Sequence, residues 1–471
     1  MIKKDEYNVD FDKFVYYLSE VNINLTESSK KMLYNDLVMM KTGSTVKNIH
    51  IKDFPHSEVC TKNEKNIEEY EVPEFIQVFA LENGVIGPKA VTRWSIHKNL
   101  KMFKVKLQSN KETVASDDHS LICFNPKTGL VDKIKPEESV GLLTPIPAKL
   151  EMPKPEKTKS SNEGYFIGAI TGDGWANNTS GRAKNAIMLA STEPAIGDKI
   201  SEFLNKKAYI ISNTHDFDGH EANSTKYTWA DKKWAQYIRD NIKCGAVNKQ
   251  LPLDFINCGE KYAWGILSGL IDTDGTVCKV HPKAKKHPQY QCGYDTISSE
   301  LKTQICQLAA FLGIRTSVTP YKAKSGSQVY RLSLSMVDVV KYKDEFMLQH
   351  SHKKQILEEA NVSKDDKDIV PISFALAETL QKYIDHKKDK SLYSIVTQSK
   401  KAGTMLRSSA IRLAKAIRLQ DDDYKAWKTE FVYNRNFSRE DFNEVLEQIK
   451  NYSEQIQSFI EKEEFSPNEI K

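Results

Sequence analysis

Two nine-residue segments about a hundred residues apart close on the same chemistry. The first is Phe166-Ile167-Gly168-Ala169-Ile170-Thr171-Gly172-Asp173-Gly174, the second Leu267-Ser268-Gly269-Leu270-Ile271-Asp272-Thr273-Asp274-Gly275. Each is apolar, carries glycine at its third position and ends in Asp-Gly. One copy predicts a buried helix with a carboxylate at its C-terminal end. Taken singly, such an end is an ordinary helix stop. Two copies, with Gly168 and Gly269 letting the helices approach closely, bring Asp173 and Asp274 out side by side. Paired carboxylates with no basic residue between them repel unless a divalent cation sits there, and hard oxygen ligands of this kind suit Mg²⁺. Metal ions roughly 3.5–4 Å apart activate water and stabilise the leaving oxygen of a phosphodiester.

The elements that must position these carboxylates are themselves repeated. After Asp173 comes a strand-like Ala186–Ala190, then Ser191-Thr192-Glu193 opening a helix, then strands ending near Tyr227-Thr228-Trp229. After Asp274 the chain gives a strand over Tyr290–Ile297, then Ser298-Ser299-Glu300 opening a helix to Phe311-Leu312-Gly313. Strands follow to Val329–Leu334. A hydroxyl residue ahead of glutamate is a sensible helix start. The shared order marks an internal repeat over 163–250 and 251–350.

With those residues in view, 163–350 resembles the double-motif LAGLIDADG (DOD-type) homing endonucleases, chiefly through Gly269-Leu270-Ile271-Asp272-Thr273-Asp274-Gly275. In the first copy Ala169 and Thr171 stand where the family usually has Leu and Asp. The resemblance implies an α+β fold, a pseudo-twofold αββαββα core whose strands form a saddle in the DNA major groove. It implies a site-specific endonuclease that makes Mg²⁺-dependent double-strand breaks in a long target, acting on double-stranded DNA as a monomer with the symmetry of a dimer. The last acidic residue of each motif binds metal in that family, which carries over to Asp173 and Asp274. Asp272 matches a position that acts structurally. Family members also use a lysine near the metals, for which Lys226, Lys322 and Lys324 are the candidates. Twenty residues separate Asp173 from Glu193 and twenty-six separate Asp274 from Glu300. The surplus falls at a basic loop containing Lys279, Lys283, Lys285 and Lys286, placed to hold phosphates. A solvated loop is the plain alternative.

Upstream, residues 59–150 alternate like short strands: Phe75–Phe79, Phe103–Leu107, and Leu121–Phe124 running into the turn Asn125–Gly129. Within them lies Thr113-Val114-Ala115-Ser116-Asp117-Asp118-His119. A hydroxyl three residues before a histidine can polarise a peptide bond in an N-to-S or N-to-O acyl shift; the ordinary alternative is a β-turn with an exposed histidine. Together with Gly141–Pro147, the stretch resembles part of an intein splicing (Hint) module. That would make Ser116 and His119 splicing relics, with Ser44 and Cys60 as further possible remnants. Against splicing competence, no nucleophile stands a few positions upstream of Gly43-Ser44-Thr45-Val46, and the chain ends Pro467-Asn468-Glu469-Ile470-Lys471. The rival readings are therefore a nuclease-inactive nucleic-acid binder of maturase or regulator type, and a splicing-active or split intein.

Composition bounds the rest. The 471 residues carry a formal net charge of +5 and a pI near 8.5, which permits nucleic-acid binding without requiring it. Length argues for several domains. No membrane-length apolar run or secretory signal is legible, and seven cysteines without a CxxC pair read as reduced thiols, all pointing to a cytoplasmic protein in a microbial or phage-infected cell. Residues 1–58 read as a helical lead-in, with Phe11, Phe14, Val15 and Leu18 at helical spacing. Polar 151–162 reads as a linker, and 351–471 as a helical, basic accessory region containing Lys400, Lys401, Arg407, Arg412, Lys415 and Arg418, with a polar helix over 439–463.

Overall fold

The structure is a computed structural model. It describes residues 10–409 apart from short internal stretches, of which 23–36 is the longest and 282–287 bears on the basic loop. The repeat is realised as two runs of the same elements. The first is α1 (Ser161–Asp173), β1 (Gly174–Ala176), β2 (Ala186–Ser191), α2 (Pro194–Leu204), β3 (Tyr209–Phe217), β4 (His220–Ala230) and α3 (Lys232–Asn241). The second is α4 (Glu260–Asp272), β5 (Gly275–Val280), β6 (Gln289–Thr296), α5 (Ser299–Phe311), β7 (Thr316–Lys322), β8 (Gln328–Leu334) and α6 (Met336–Lys341). Each half builds a four-stranded antiparallel sheet of one strand order, β1-β2-β4-β3 and β5-β6-β8-β7.

Helices α1 and α4 are apolar on every side, the pattern of a helix surrounded by protein. All residues from Gly164 to Gly172 and from Tyr262 to Asp272 are buried. Glycine sets their separation. A Cβ on Gly168 would stand 2.0 Å from the Ile266 carbonyl oxygen, and one on Gly269 2.3 Å from that of Tyr165. One turn earlier, Gly164 and Gly265 face the Tyr262 and Ser161 carbonyls at 2.1 Å each. The obstacles are backbone and cannot rotate away. Helix starts are fixed locally: Ser160, Asp231 and Ser298 each accept a bond from the backbone N–H three residues on.

The sheets present alternate residues to the core. Ile187, Leu189, Tyr227 and Trp229 in the first, and Cys292, Tyr294, Val318, Leu332 and Leu334 in the second, pack into one cluster with α1 and α4. The neighbours in between form outer faces turned away from the helices.

Three expectations about the flanks need correction. In the described part of 1–58 the regular elements are strands rather than the expected helix: Asp10–Phe11, Phe14–Val15, Leu18–Asn22, and a hairpin of Leu37–Thr42 with Thr45–His50, followed by an irregular stretch. Leu18–Asn22 pairs with Phe103–Leu107, so a partner some eighty residues away overrides the local helical spacing. The 151–162 stretch is docked rather than loose. Lys159 is salt-bridged to Asp254 at 3.0 Å and Glu163 at 3.3 Å, and its N–H donates to the Cys258 carbonyl. A boundary at 350 falls inside the folded unit, because α7 (Ser351–Glu359) buries Ile356 and Leu357 in the main core.

Beyond α7 the chain returns to the β module. Strands Ile369–Pro371 and Thr404–Leu406 pair with each other. Between them lie helices Phe374–Tyr383 and Lys390–Ala402, and Phe374 N–H donates to the Pro126 carbonyl. Lys400 is salt-bridged to Glu378. Arg407, Arg412, Lys415, Arg418 and residues 439–463, expected as a helix, lie outside the described residues. Among the described residues no helix is long and apolar enough to cross a membrane.

Candidate active site

Asp173 is the last residue of α1, half-buried; Asp274 lies two residues past the end of α4 and is exposed. Gly172 abuts Thr273, which brings the two endings into contact. Burial, then the charge of Asp274 and a hydrogen bond with it, holds the Asp173 carboxyl well above the usual carboxylate range. Tyr294, buried beneath, lies within hydrogen-bond reach of Asp274. The placement is unfavourable for structure alone. A helix C-terminus carries partial negative charge and disfavours carboxylates, and here two of them share it.

Two lysines close the site from below. Lys249, in the segment after α3, donates to the Gly172 carbonyl at the end of α1. Lys353 of α7 donates to the carbonyls of Ile271 at 2.9 Å, Asp272 at 2.8 Å and Thr273 at 3.1 Å, at the end of α4. Each satisfies carbonyls that a helix end leaves unpaired. Burial pulls both ammonium groups below the ordinary lysine pKa, opposed by Asp274 and Asp173 at Lys249, and by Asp272, Asp173 and Asp274 at Lys353. The site is thus two carboxylates flanked by two partly desolvated cations, related by their places in the two halves.

Asp272 keeps out of this pair. It is 1% exposed and accepts from Tyr165 Oη at 2.6 Å, Gln349 N at 2.6 Å and His350 N at 3.1 Å. Ser268 Oγ accepts from Met347 N at 2.9 Å. These bonds fasten 347–350, the segment that delivers Lys353. Among the described residues, the matching Thr171 hydroxyl donates only back to the Ile167 carbonyl of its own helix. The first half instead fixes its lysine through Ser298 Oγ, which donates to the Lys249 carbonyl at 2.7 Å, and Gln304, which bonds both N–H and C=O of Leu251.

None of the three lysines chosen from sequence is one of these two. Lys226 is on β4, its ammonium 5.5 Å from the centre of the Trp175 ring. Lys322 ends β7 and Lys324 lies in the exposed turn to β8. Lys279 is salt-bridged to Glu359 at 3.1 Å on the exposed surface. Lys283, Lys285 and Lys286 lie outside the described residues. Upstream, Ser116 ends a strand, and its carbonyl accepts from His119 N–H in a tight turn with His119 exposed. Cys60 starts a strand and donates to the Lys62 carbonyl; Ser44 lies outside the described residues. Each of Lys249 and Lys353 follows the last helix of its half, but no motif or spacing in the sequence marks it.

The donor set fits a hard divalent cation. Among the described residues no group of three or more His, Cys, Asp or Glu side chains is poised for a metal. Mg²⁺ asks for less, being held through one or two carboxylates with water and phosphate oxygens completing the octahedron.

No family model matches the chain. Among curated proteins it is similar to the ATP-dependent DNA helicase Hel308 of Thermococcus kodakarensis, 34% identical over 100 residues. The match spans 21% of this chain and 8% of the helicase's length. Among solved structures, similar chains include mesophilic variants of the homing endonuclease I-DmoI, at 16% identity and a TM-score of 0.28, over 40% of this chain and 95% of that one. Another is I-DmoI in complex with DNA and Ca, at 15% identity, a TM-score of 0.27, and 40% and 89% coverage. The homing endonuclease I-WcaI bound to its DNA recognition sequence shows 13% identity, a TM-score of 0.30, and 42% and 87% coverage.

Proposed function

We propose that this chain is a site-specific endonuclease that hydrolyses both strands of a long double-stranded DNA target, working as a monomer whose two halves each serve one strand. The observation that carries this reading is the meeting of Asp173 and Asp274 at the ends of α1 and α4, with Lys249 and Lys353 set against the same helix ends. Two like charges held together at a helix C-terminus cost stability, and cations with pKa values pulled down beside them are the usual signature of a reactive site. Mg²⁺ held by Asp173 and Asp274 would supply charge stabilisation for the phosphate and a more acidic water. Lys249 and Lys353 neutralise charge developing on the phosphate oxygens and, where deprotonated, accept the proton of the attacking water.

The test is cleavage selection from a randomised duplex library with the wild-type chain, Asp173→Asn and Asp274→Asn. Retained binding with cleavage lost in both variants supports the assignment; full double-strand cleavage by either variant sinks it. A chain that binds duplex but never nicks it with any divalent cation is the nuclease-inactive binder.

Protein splicing is the second reading. It is favoured by the return of 369–406 to the upstream β module, where Phe374 bonds Pro126 and Gly403 packs against it. The exposed His119 in an ordinary turn weighs against it. Ligated product, or cleavage at the N-terminal junction, from the chain set between reporter exteins would establish it.

A further inference from the structure

The outer face of the second sheet carries one built constellation. Asp295 of β6 and Arg331 of β8 are cross-strand partners. Arg331 donates from Nε to both Asp295 carboxylate oxygens, at 3.0 and 3.2 Å, and from Nη2 to Oδ2 at 2.8 Å. Tyr321 of β7 donates its hydroxyl to the same Oδ2 at 2.9 Å, and the guanidinium carbon lies 5.1 Å from the Tyr321 ring centre. The carboxylate takes one edge of the guanidinium and the ring takes one face. The end of the fork, Nη1 with the remaining Nη2 hydrogen, donates no bond among the described residues, and the Arg331 side chain is 58% exposed. Around it the face is polar, with Gln289, Gln291 and Thr319 alternating with core residues.

A carboxylate is out of place on a face that meets DNA for affinity alone, because it cancels a positive charge and repels phosphate. It is in place if the arginine is to be aimed. Side-chain entropy is then lost before binding, and the free end of the fork matches the O6 and N7 acceptors of guanine in the major groove. Resting on the nuclease reading above, we infer that Arg331 is a specificity-determining residue that reads a single guanine in the target, with Asp295 and Tyr321 positioning it. Asp295 also holds down binding to DNA of other sequence.

The experiment is a duplex binding-site selection with the full chain, followed by affinity and salt titration for wild type, Arg331→Ala, Arg331→Lys and Asp295→Asn. Melting curves confirm that each variant folds. Arg331→Ala relaxes preference at one G·C pair by about 5- to 150-fold and leaves the other positions and the salt slope unchanged. Arg331→Lys keeps the charge but not the fork and loses the same preference. Asp295→Asn tightens binding to unrelated duplex and steepens its salt dependence by about one counterion. Arg331→Ala weakening all sequences alike with a flatter salt slope would mark a phosphate contact and overturn the inference, as would an unchanged profile. Either result leaves the nuclease reading standing, whereas a wild-type chain that selects no DNA overturns both.

Discussion

Asp173 is the residue at which the site declares its cost. Its carboxyl titrates above the ordinary range because burial and Asp274 both oppose its charge. Between the unfolded and folded pKa values the native state binds more protons, so the metal-free protein loses stability as pH rises through that window. Asp173→Asn should therefore stabilise the metal-free chain at pH 8, by on the order of 1–3 kcal/mol, and by less at pH 5. Added Mg²⁺ should stabilise wild type and close the gap. Thermal melts at the two pH values, with chelator and with Mg²⁺, decide it; a variant less stable than wild type at pH 8 would make Asp173 a mere helix stop. The lysines separate differently, since each both caps a helix and faces the carboxylates. Lys249→Met and Lys353→Met should each cost about 1 kcal/mol of stability from unpaired carbonyls and lower cleavage by about 100-fold or more, with duplex affinity held within a few-fold. Arginine at either position keeps the cap and the charge but not the titration, so cap function alone would leave arginine variants fully active.

Helices α1 and α4 translate four glycines into that arrangement. Alanine at Gly168 or Gly265 must push the helices apart, since the obstacle is a carbonyl oxygen 2.0 or 2.1 Å from the new Cβ. Each substitution should cost about 1–3 kcal/mol or more and reduce cleavage beyond what lost folding explains, because Asp173 and Asp274 separate with the helix ends. Single-turnover rates on the folded fraction measure this; a destabilised variant with an unchanged rate would show that the carboxylates tolerate a wider gap. Asp272 works on the same scale through the trailing segment. Asp272→Asn leaves at least one of three buried donors poorly served, so it should cost about 1–3 kcal/mol and slow cleavage through Lys353. Thr171→Val, at the matching place, should do neither, since among the described residues the Thr171 hydroxyl bonds only its own helix.

At the scale of the molecule, what was legible in the sequence was what neighbours in the chain decide. The two Asp-Gly endings, the helix starts at Ser298 and ahead of Pro194, and the strands they flank all follow from local pattern. The strand Leu18–Asn22 was hidden because its ladder partner Phe103–Leu107 is distant. The lysines were hidden because Lys249 and Lys353 reach the site from the far end of each half, by way of helix-end carbonyls that no spacing reveals. The asymmetry between halves extends beyond the basic loop to the outer faces of the sheets, as far as their side chains are described. The second presents Gln289, Gln291, Thr319 and the Asp295–Arg331 pair; the first presents Trp175, Tyr209 and Ile211 beside Lys226, with Tyr209 68% exposed. Polar edges are read by hydrogen bonds and the thymine methyl by apolar contact, so the two half-sites should differ in kind. A selected target should be non-palindromic, with one half read through thymine methyl groups. Replacing thymine by uracil in that half should weaken binding by about 0.8 kcal/mol per methyl, and in the other half by little. A palindromic consensus, or equal uracil penalties in both halves, would mean that the faces do not read the DNA as their chemistry suggests.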